Sequence, residues 1–214
     1  VPTRGNHPGI IEYKGKSYVF GLNYDIMHLK TFAHAEQRSV SVAEMHYNED
    51  GTIQEVPYFI DNVVEQVKPF NPYRKVESET MAWGYGLKTS YVDPEFVFDP
   101  KRGYSARNMY VHGIDNGEYL LVRGVDFGRK GSRKIKAAIG SDGVGGLEVH
   151  IDSPDGRPVS IIPVSPTGGQ TNFNLFTGKF KRRVRGQHDL YFVFTGAGND
   201  LFALDWWMLI EPLF

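Results

Sequence analysis

The chain has 214 residues, enough for one large domain or two small ones, and its 41% apolar, 23% charged and 14% aromatic content is that of a folded chain, which excludes disorder. No stretch approaches the ~18 to 20 continuous apolar residues of a membrane helix, the opening VPTRGNHPG has neither the charged start nor the apolar run of a signal peptide, and the absence of an initiator Met suggests a processed or truncated chain. With no cysteine, zinc-thiolate sites, thiol nucleophiles and disulfides are excluded together, and a net charge of −1 carries no nucleic-acid footprint.

In chain order, four short strands are expected in residues 1 to 60: Gly9 to Tyr13, Lys16 to Tyr24, Ser39 to Tyr47 and Thr52 to Val56. Four strands make one sheet with open edges and one apolar face lacking a partner, so this segment reads as a piece of something larger. Residues 61 to 72 read as a linker, NVVEQVKPFNP, with room for one helical turn before two prolines that fix φ and lack an amide donor. Residues 73 to 214 show strict alternation in Ile135, Ala137, Ile139, in Leu147, Val149, Ile151 and in Leu190, Phe192, Phe194, with Lys134, Lys136, Glu148 and His150 between them. That pattern puts one face in a core and one in water, as antiparallel sheets allow. Eight or nine such strands suit a β-sandwich, and Gly-containing turns at Asn48 to Gly51, Asp115 to Gly117, Asp152 to Gly156 and Thr167 to Gly169 punctuate the chain. No window sustains a 3.6-residue period over three turns, so the fold class is all-β.

The charge is mildly split, with 6 basic and 9 acidic groups in residues 1 to 70 against 18 and 16 in the rest. The densest basic run is Lys179, Lys181, Arg182, Arg183, Arg185. It has the charge to bind polyanions, yet Phe180 and Val184 interrupt it as core-facing strand residues do, and a solvated strand and turn is the plainer expectation.

The strings NHPGIIEYKGKSYVFGLNY and QRSVSVAEMHYNEDGTI in residues 1 to 60 resemble the last blade of the five-bladed propellers of family 43 glycoside hydrolases, which cleave arabinofuranosyl or xylosyl linkages in plant cell-wall polysaccharides. The resemblance implies that His7 sits near the propeller axis and that Arg38 reaches the sugar pocket as substrate-binding groups. An imidazole can donate to a sugar hydroxyl or ligate an ion, and a guanidinium can fork onto adjacent hydroxyls. The plain alternatives are a His closing a strand start and an Arg in a surface ion pair. In that family two Asp and one Glu do the chemistry, with inversion at the sugar carbon. They come from earlier blades, so no catalytic residue is assigned here. Asp25, Glu36 and Glu44 match none of their motifs. By itself this chain is not expected to hydrolyse glycosides.

From Asn71 onward, NPYRKVESETMAW, IDNGEYLLVRGVDFG, IDSPDGRPV, PTGG, GQHDLYFVFTG and LFALDWWML resemble, in that order, a family 6 carbohydrate-binding module, a β-sandwich of jelly-roll type. Glu77 and Glu79 stand two apart, which places both carboxylates on one face of a strand. With Asp205 from the last strand they would offer hard oxygens to a structural Ca²⁺, as the resemblance implies; surface acids paired to Arg74 or Lys75 are the alternative. The family's loop cleft normally holds a sugar ring between a Trp and a Tyr and fixes its hydroxyls with an Asn. Here those places are Gln170, Gly113 and Ala203, so weak or absent binding is expected there. Of Trp206 and Trp207, one is expected in the core and the other on a second, concave face. The resemblances imply the C-terminal portion of an arabinoxylan- or xylan-degrading hydrolase. Its partners are the remaining propeller blades, which carry the catalytic carboxylates, and a plant cell-wall polysaccharide. Neither nucleic acid nor membrane is expected as a partner, and the location is extracellular or periplasmic. A stand-alone xylan-binding module, or a structural brace without sugar affinity, is the alternative.

Overall fold

A computed structural model describes residues 7–23, 39–57, 64–92 and 108–211. Every strand pairing within its sheets is antiparallel. The chain divides into two compact units, 1–67 and 68–214, a cut that falls inside the proline-containing segment. Among the described residues of that segment, 64–72 are irregular and form no helical turn.

Among the described residues the first unit is a three-stranded meander of β1 (Gly9–Tyr13), β2 (Lys16–Asn23) and β3 (Ser39–Met45). The β1–β2 hairpin turns at Lys14 and Gly15, both with positive φ, the geometry a two-residue hairpin demands. The expected fourth strand is not formed. Thr52 to Val56 contributes one isolated bridge, Tyr47 to Ile53, because the turn before it bonds to itself: the Gly51 amide donates to the Asn48 carbonyl, and Asp50 Oδ1 accepts from the Thr52 amide and hydroxyl.

The second unit is a sandwich of eleven strands among the described residues, more than the eight or nine expected, because short edge strands lack a readable alternation. They are β4 (Val76–Glu77), β5 (Trp83–Tyr85), β6 (Lys88–Tyr91), β7 (Met109–His112), β8 (Tyr119–Asp126), β9 (Ser132–Ser141), β10 (Gly145–Ile151), β11 (Ser160–Val164), β12 (Gly169–Val184), β13 (Gln187–Gly196) and β14 (Ala203–Leu209). One sheet runs β11-β10-β13-β8-β5, and the other runs β12-β9-β14-β7-β6 with β4 beside β14.

The inward residues of the three alternating segments form the core. Ile135, Ala137, Ile139, Leu147, Val149, Leu190, Phe192 and Phe194 have no exposed surface, and Ile151 is packed at its margin. At roughly 25 cal/mol per Å² of apolar area removed from water, these side chains hold the two sheets together. Trp207 is the largest of the fully buried residues, and its ring lies 5.1 Å from that of Phe192 and 6.5 Å from that of Phe70. Phe70 is held there because its amide donates to the Gly124 carbonyl while its carbonyl accepts from Asp126. His150 departs from the expected wet face. It is only 4% exposed, because its Nε2 lies 3.0 Å from Glu148 Oε2 on the same strand and Tyr191 stands beside it in register.

Candidate carbohydrate and metal sites

The loop cleft holds Gln170, Gly113 and Ala203 where the resemblance expects a Trp, a Tyr and an Asn. Gln170 Nε2 donates to the Asp200 carbonyl at 3.1 Å, so the side chain ties the start of β12 to the segment before β14. Ala203 is fully buried beside the core and offers no polar group. Gly113 has a φ of 63°, and a Cβ there would lie 3.2 Å from the Lys88 stem, so a larger side chain would be strained and crowded. The aromatic groups left at this end pack on one another. Tyr110 meets Phe173 edge-on at 5.8 Å and His112 at 5.4 Å, all three half-buried. Arg38 lies outside the described residues, and His7 is exposed.

A second aromatic surface lies on the outer face of the five-stranded sheet. Tyr119 alternates with core Leu120, and Tyr191 with core Leu190 and Phe192, so both rings point away from the core. Register sets Tyr85 opposite Tyr119, with ring centroids 5.7 Å apart and planes within 15°, and Tyr191 continues the row at 5.7 Å from Tyr119. Tyr85 is 45% exposed. Half-buried Trp83, Leu121, Glu148 and Val193 occupy the same face. The row was missed in the sequence because its members come from three distant segments. The available signal was aromatic residues at the solvent-facing positions of the strands around 119 and 191.

On the outer face of the other sheet, half-buried Trp206 sits between two ammonium groups, Lys75 Nζ and Lys136 Nζ, each 5.7 Å from its ring centroid. Trp207 is the core partner of the pair, so the two tryptophans divide between the faces as alternation requires.

The three acids gather where β4 meets β14. Strand β4 ends at Glu77, and Glu79 falls in the following turn, closed by the Thr80 amide on the Glu77 carbonyl, so the two carboxylates are neighbours by turn geometry and not by strand alternation. Ser78 anchors the turn to β14, donating from its amide and its hydroxyl to the Asp205 carbonyl. Glu77 Oε1 pairs with Lys75 Nζ at 3.0 Å, as the surface-pair alternative expects. Two carboxylate oxygens, Glu77 Oε2 and Glu79 Oε2, are buried without any hydrogen-bond partner, which costs free energy unless something cationic meets them. Burial pushes the Glu79 carboxyl above its ordinary value, and the negative charges of Glu77 and Asp205 add to the shift. Asp205 is also raised, first by burial, against the opposing hydrogen bond from Asn108. Among the described residues no group of three or more His, Cys, Asp or Glu is gathered tightly enough to be a ready-made metal cage. The two unpartnered oxygens of Glu77 and Glu79 are nevertheless the donor type a hard cation takes.

Comparison with known proteins agrees with this architecture. Residues 78–211 match the model of "Carbohydrate binding module (family 6)". The chain is 34% identical over 175 residues to an arabinoxylan arabinofuranohydrolase of Bacillus subtilis, an alignment that takes in 81% of this chain and 32% of that protein. It superposes over 99% of its length, with a TM-score of 0.81 and 32% identity, on a family 43 arabinoxylan arabinofuranohydrolase from Bacillus subtilis solved with cellotetraose, of which it covers 42%. A family 6 module from Clostridium cellulolyticum, solved with xylose, matches 66% of the chain at a TM-score of 0.57 and 27% identity, and is covered completely. The chain thus spans about a third of the length of the curated relative it matches. The sandwich, the matched residues and the whole-module superposition place the chain in family 6 of the carbohydrate-binding modules, carried next to a sheet similar to part of a family 43 hydrolase.

Proposed function

We propose that this chain is the polysaccharide-binding portion of an arabinoxylan-degrading hydrolase acting outside the cytoplasm, and that it meets its polymer through the tyrosine face of the five-stranded sheet. The observation that carries the reading is the row Tyr85, Tyr119 and Tyr191 at 5.7 Å spacing on a sheet whose other face is core. Aromatic faces give apolar contact to sugar rings while phenolic hydroxyls and Glu148 remain for their hydroxyl groups. The loop cleft, with Gln170 committed to Asp200 and Ala203 buried, plays no part. Affinity electrophoresis on soluble arabinoxylan tests this. Retardation lost in Tyr119→Ala and Tyr191→Ala but kept in Gln170→Ala supports it, and the reverse pattern refutes it.

A structural cation completes the reading. Glu77, Glu79 and Asp205 would hold Ca²⁺, which would neutralise their mutual repulsion and tie the start of the sandwich to its last strand. Support comes from the two orphaned oxygens. His7 and Arg38 remain proposed substrate contacts of the assembled enzyme, whose catalytic carboxylates would come from the other blades.

A further inference from the structure

We infer that the end of the sandwich opposite the loop cleft is a second binding site, for the carboxylate of an acidic saccharide. This inference rests on the reading of the chain as a polysaccharide-binding module. Strand β12 leaves the loop cleft at Gly169 and Gln170 and reaches Arg182 twelve residues later, roughly 40 Å away along an extended strand. There Ile151, Arg182, Arg183, Val184, Arg185 and His188 line a cavity of about 260 Å³.

Part of the cavity wall is held in place. His188 Nδ1 lies 2.8 Å from Asp152 Oδ2 and its Nε2 lies 2.9 Å from the Arg185 carbonyl oxygen, so the ring is held at both nitrogens. Asp152 is itself tied down, accepting from the Asp189 amide with its other oxygen. Arg183 Nη1 donates to the Lys130 carbonyl at 3.0 Å, and the Gly186 amide donates to the Gly128 carbonyl, which fastens the β12–β13 turn to the turn before β9.

Among the described residues most of the basic side chains here lack an ion-pair partner. Lys179, Lys181, Arg182 and Arg185 are exposed and form no ion pair with a described residue. The nearby acids already have partners: Asp126 accepts from the Gly128 amide, Asp189 from the Gly124 amide with Arg123 beside it, and Asp152 reaches the cavity only through His188, whose ring it holds. Register even sets Lys179 directly opposite Lys134, a like-charge pairing that costs stability. Phe180 and Val184 do point into the core, as the sequence indicates, but this anchors the strand and leaves the charged side chains turned outward. A planar guanidinium forks onto a carboxylate, while Ile151 and Val184 supply the apolar floor that a sugar ring needs and a bare inorganic anion does not.

The experiment uses the full 214-residue chain and compares retardation by glucuronic acid-substituted xylan, by the same xylan after reduction of its carboxyl groups, by neutral arabinoxylan and by poly-glutamate. The acidic xylan is expected to bind more tightly than its reduced form, and the double variant Arg182→Gln, Arg185→Gln is expected to weaken acidic-xylan binding about tenfold or more while leaving arabinoxylan binding unchanged. Equal binding of reduced and unreduced xylan overturns the site. So does an unaffected double variant, or poly-glutamate binding as tightly as the uronate polymer. Loss of arabinoxylan binding in Tyr191→Ala reads the tyrosine face separately, so each site can fail without the other.

Discussion

Asn108 donates from its side-chain amide to Asp205 Oδ1 at 2.8 Å, joining the residue before β7 to the middle of β14. Asp205 is only 6% exposed, and the bond offsets part of the burial that raises its carboxyl, but Glu77 Oε2 and Glu79 Oε2 nearby receive no such donor. A neutral amide satisfies one acid out of three. Bound Ca²⁺ would satisfy the others, and by mass action a ligand that binds only the native state raises the melting temperature. The expected outcome is a lower melting temperature in chelator, restored by excess Ca²⁺ and absent in Glu77→Gln, Glu79→Gln. A melt indifferent to chelator in metal-free buffer would refute the site.

The same acids set a pH dependence. Glu79 and Asp205 are raised in the folded state, so between their ordinary and raised values the folded chain holds more protons than the unfolded one. Stability then falls as pH rises through that window and is recovered on mild acidification from neutrality toward about pH 4 to 5. Chelated protein is therefore expected to melt at a higher temperature at the acidic end of the window than at pH 7. Bound Ca²⁺ favours the ionised forms and should flatten or reverse the slope. Melting curves at several pH values, with chelator and with Ca²⁺, check both signs.

Trp206 and Trp207 are adjacent in sequence and opposite in consequence. Trp207 is fully buried against Phe192 and Phe70, so Trp207→Ala is expected to cost about 3–5 kcal/mol. Trp206 lies half-exposed between Lys75 and Lys136, and its loss is expected to cost no more than about 1 kcal/mol. Denaturant midpoints of the two variants measure the difference directly.

The extent to which the chain could be read from its residues follows the physics of each element. Core strands with both neighbours in place, such as Leu190, Phe192 and Phe194, must alternate because burial is imposed every second residue, and they were legible. Thr52 to Val56 has strand-like composition but spends its turn groups on Asn48, Asp50 and Gly51, so composition alone misled. Glu77 and Glu79 are two apart in sequence, but the strand stops at Glu77, so a turn and not strand alternation sets their relation. The tyrosine row and the arginine cavity stayed hidden because each exists only once register places strands from distant segments side by side. In the loop cleft the informative signal was what its side chains lack, at Gln170, Ala203 and Gly113.

The three-stranded unit bears a last prediction about partners. Pairing sets Ile10 beside Val19 and Ala43 on one face, and Ile11 beside Tyr18 and Glu44 on the other, and Ile10 and Ile11 are 54% and 51% exposed. Phe20 and Val40 are also exposed, at 40% and 75%. A sheet with apolar groups on both faces suits a propeller blade, which neighbours cover from two sides, and a half-solvated sheet would show only one such face. Remaining blades of the same enzyme are therefore the expected cover. Mixed with a polypeptide carrying those blades, the chain should form a complex on size-exclusion chromatography. Ile10→Ser together with Ile11→Ser should abolish the complex without moving the melting transition of the sandwich, since both residues lie in the first unit. A complex of undiminished affinity in that double variant would show that the blade's apolar faces do not make the contact.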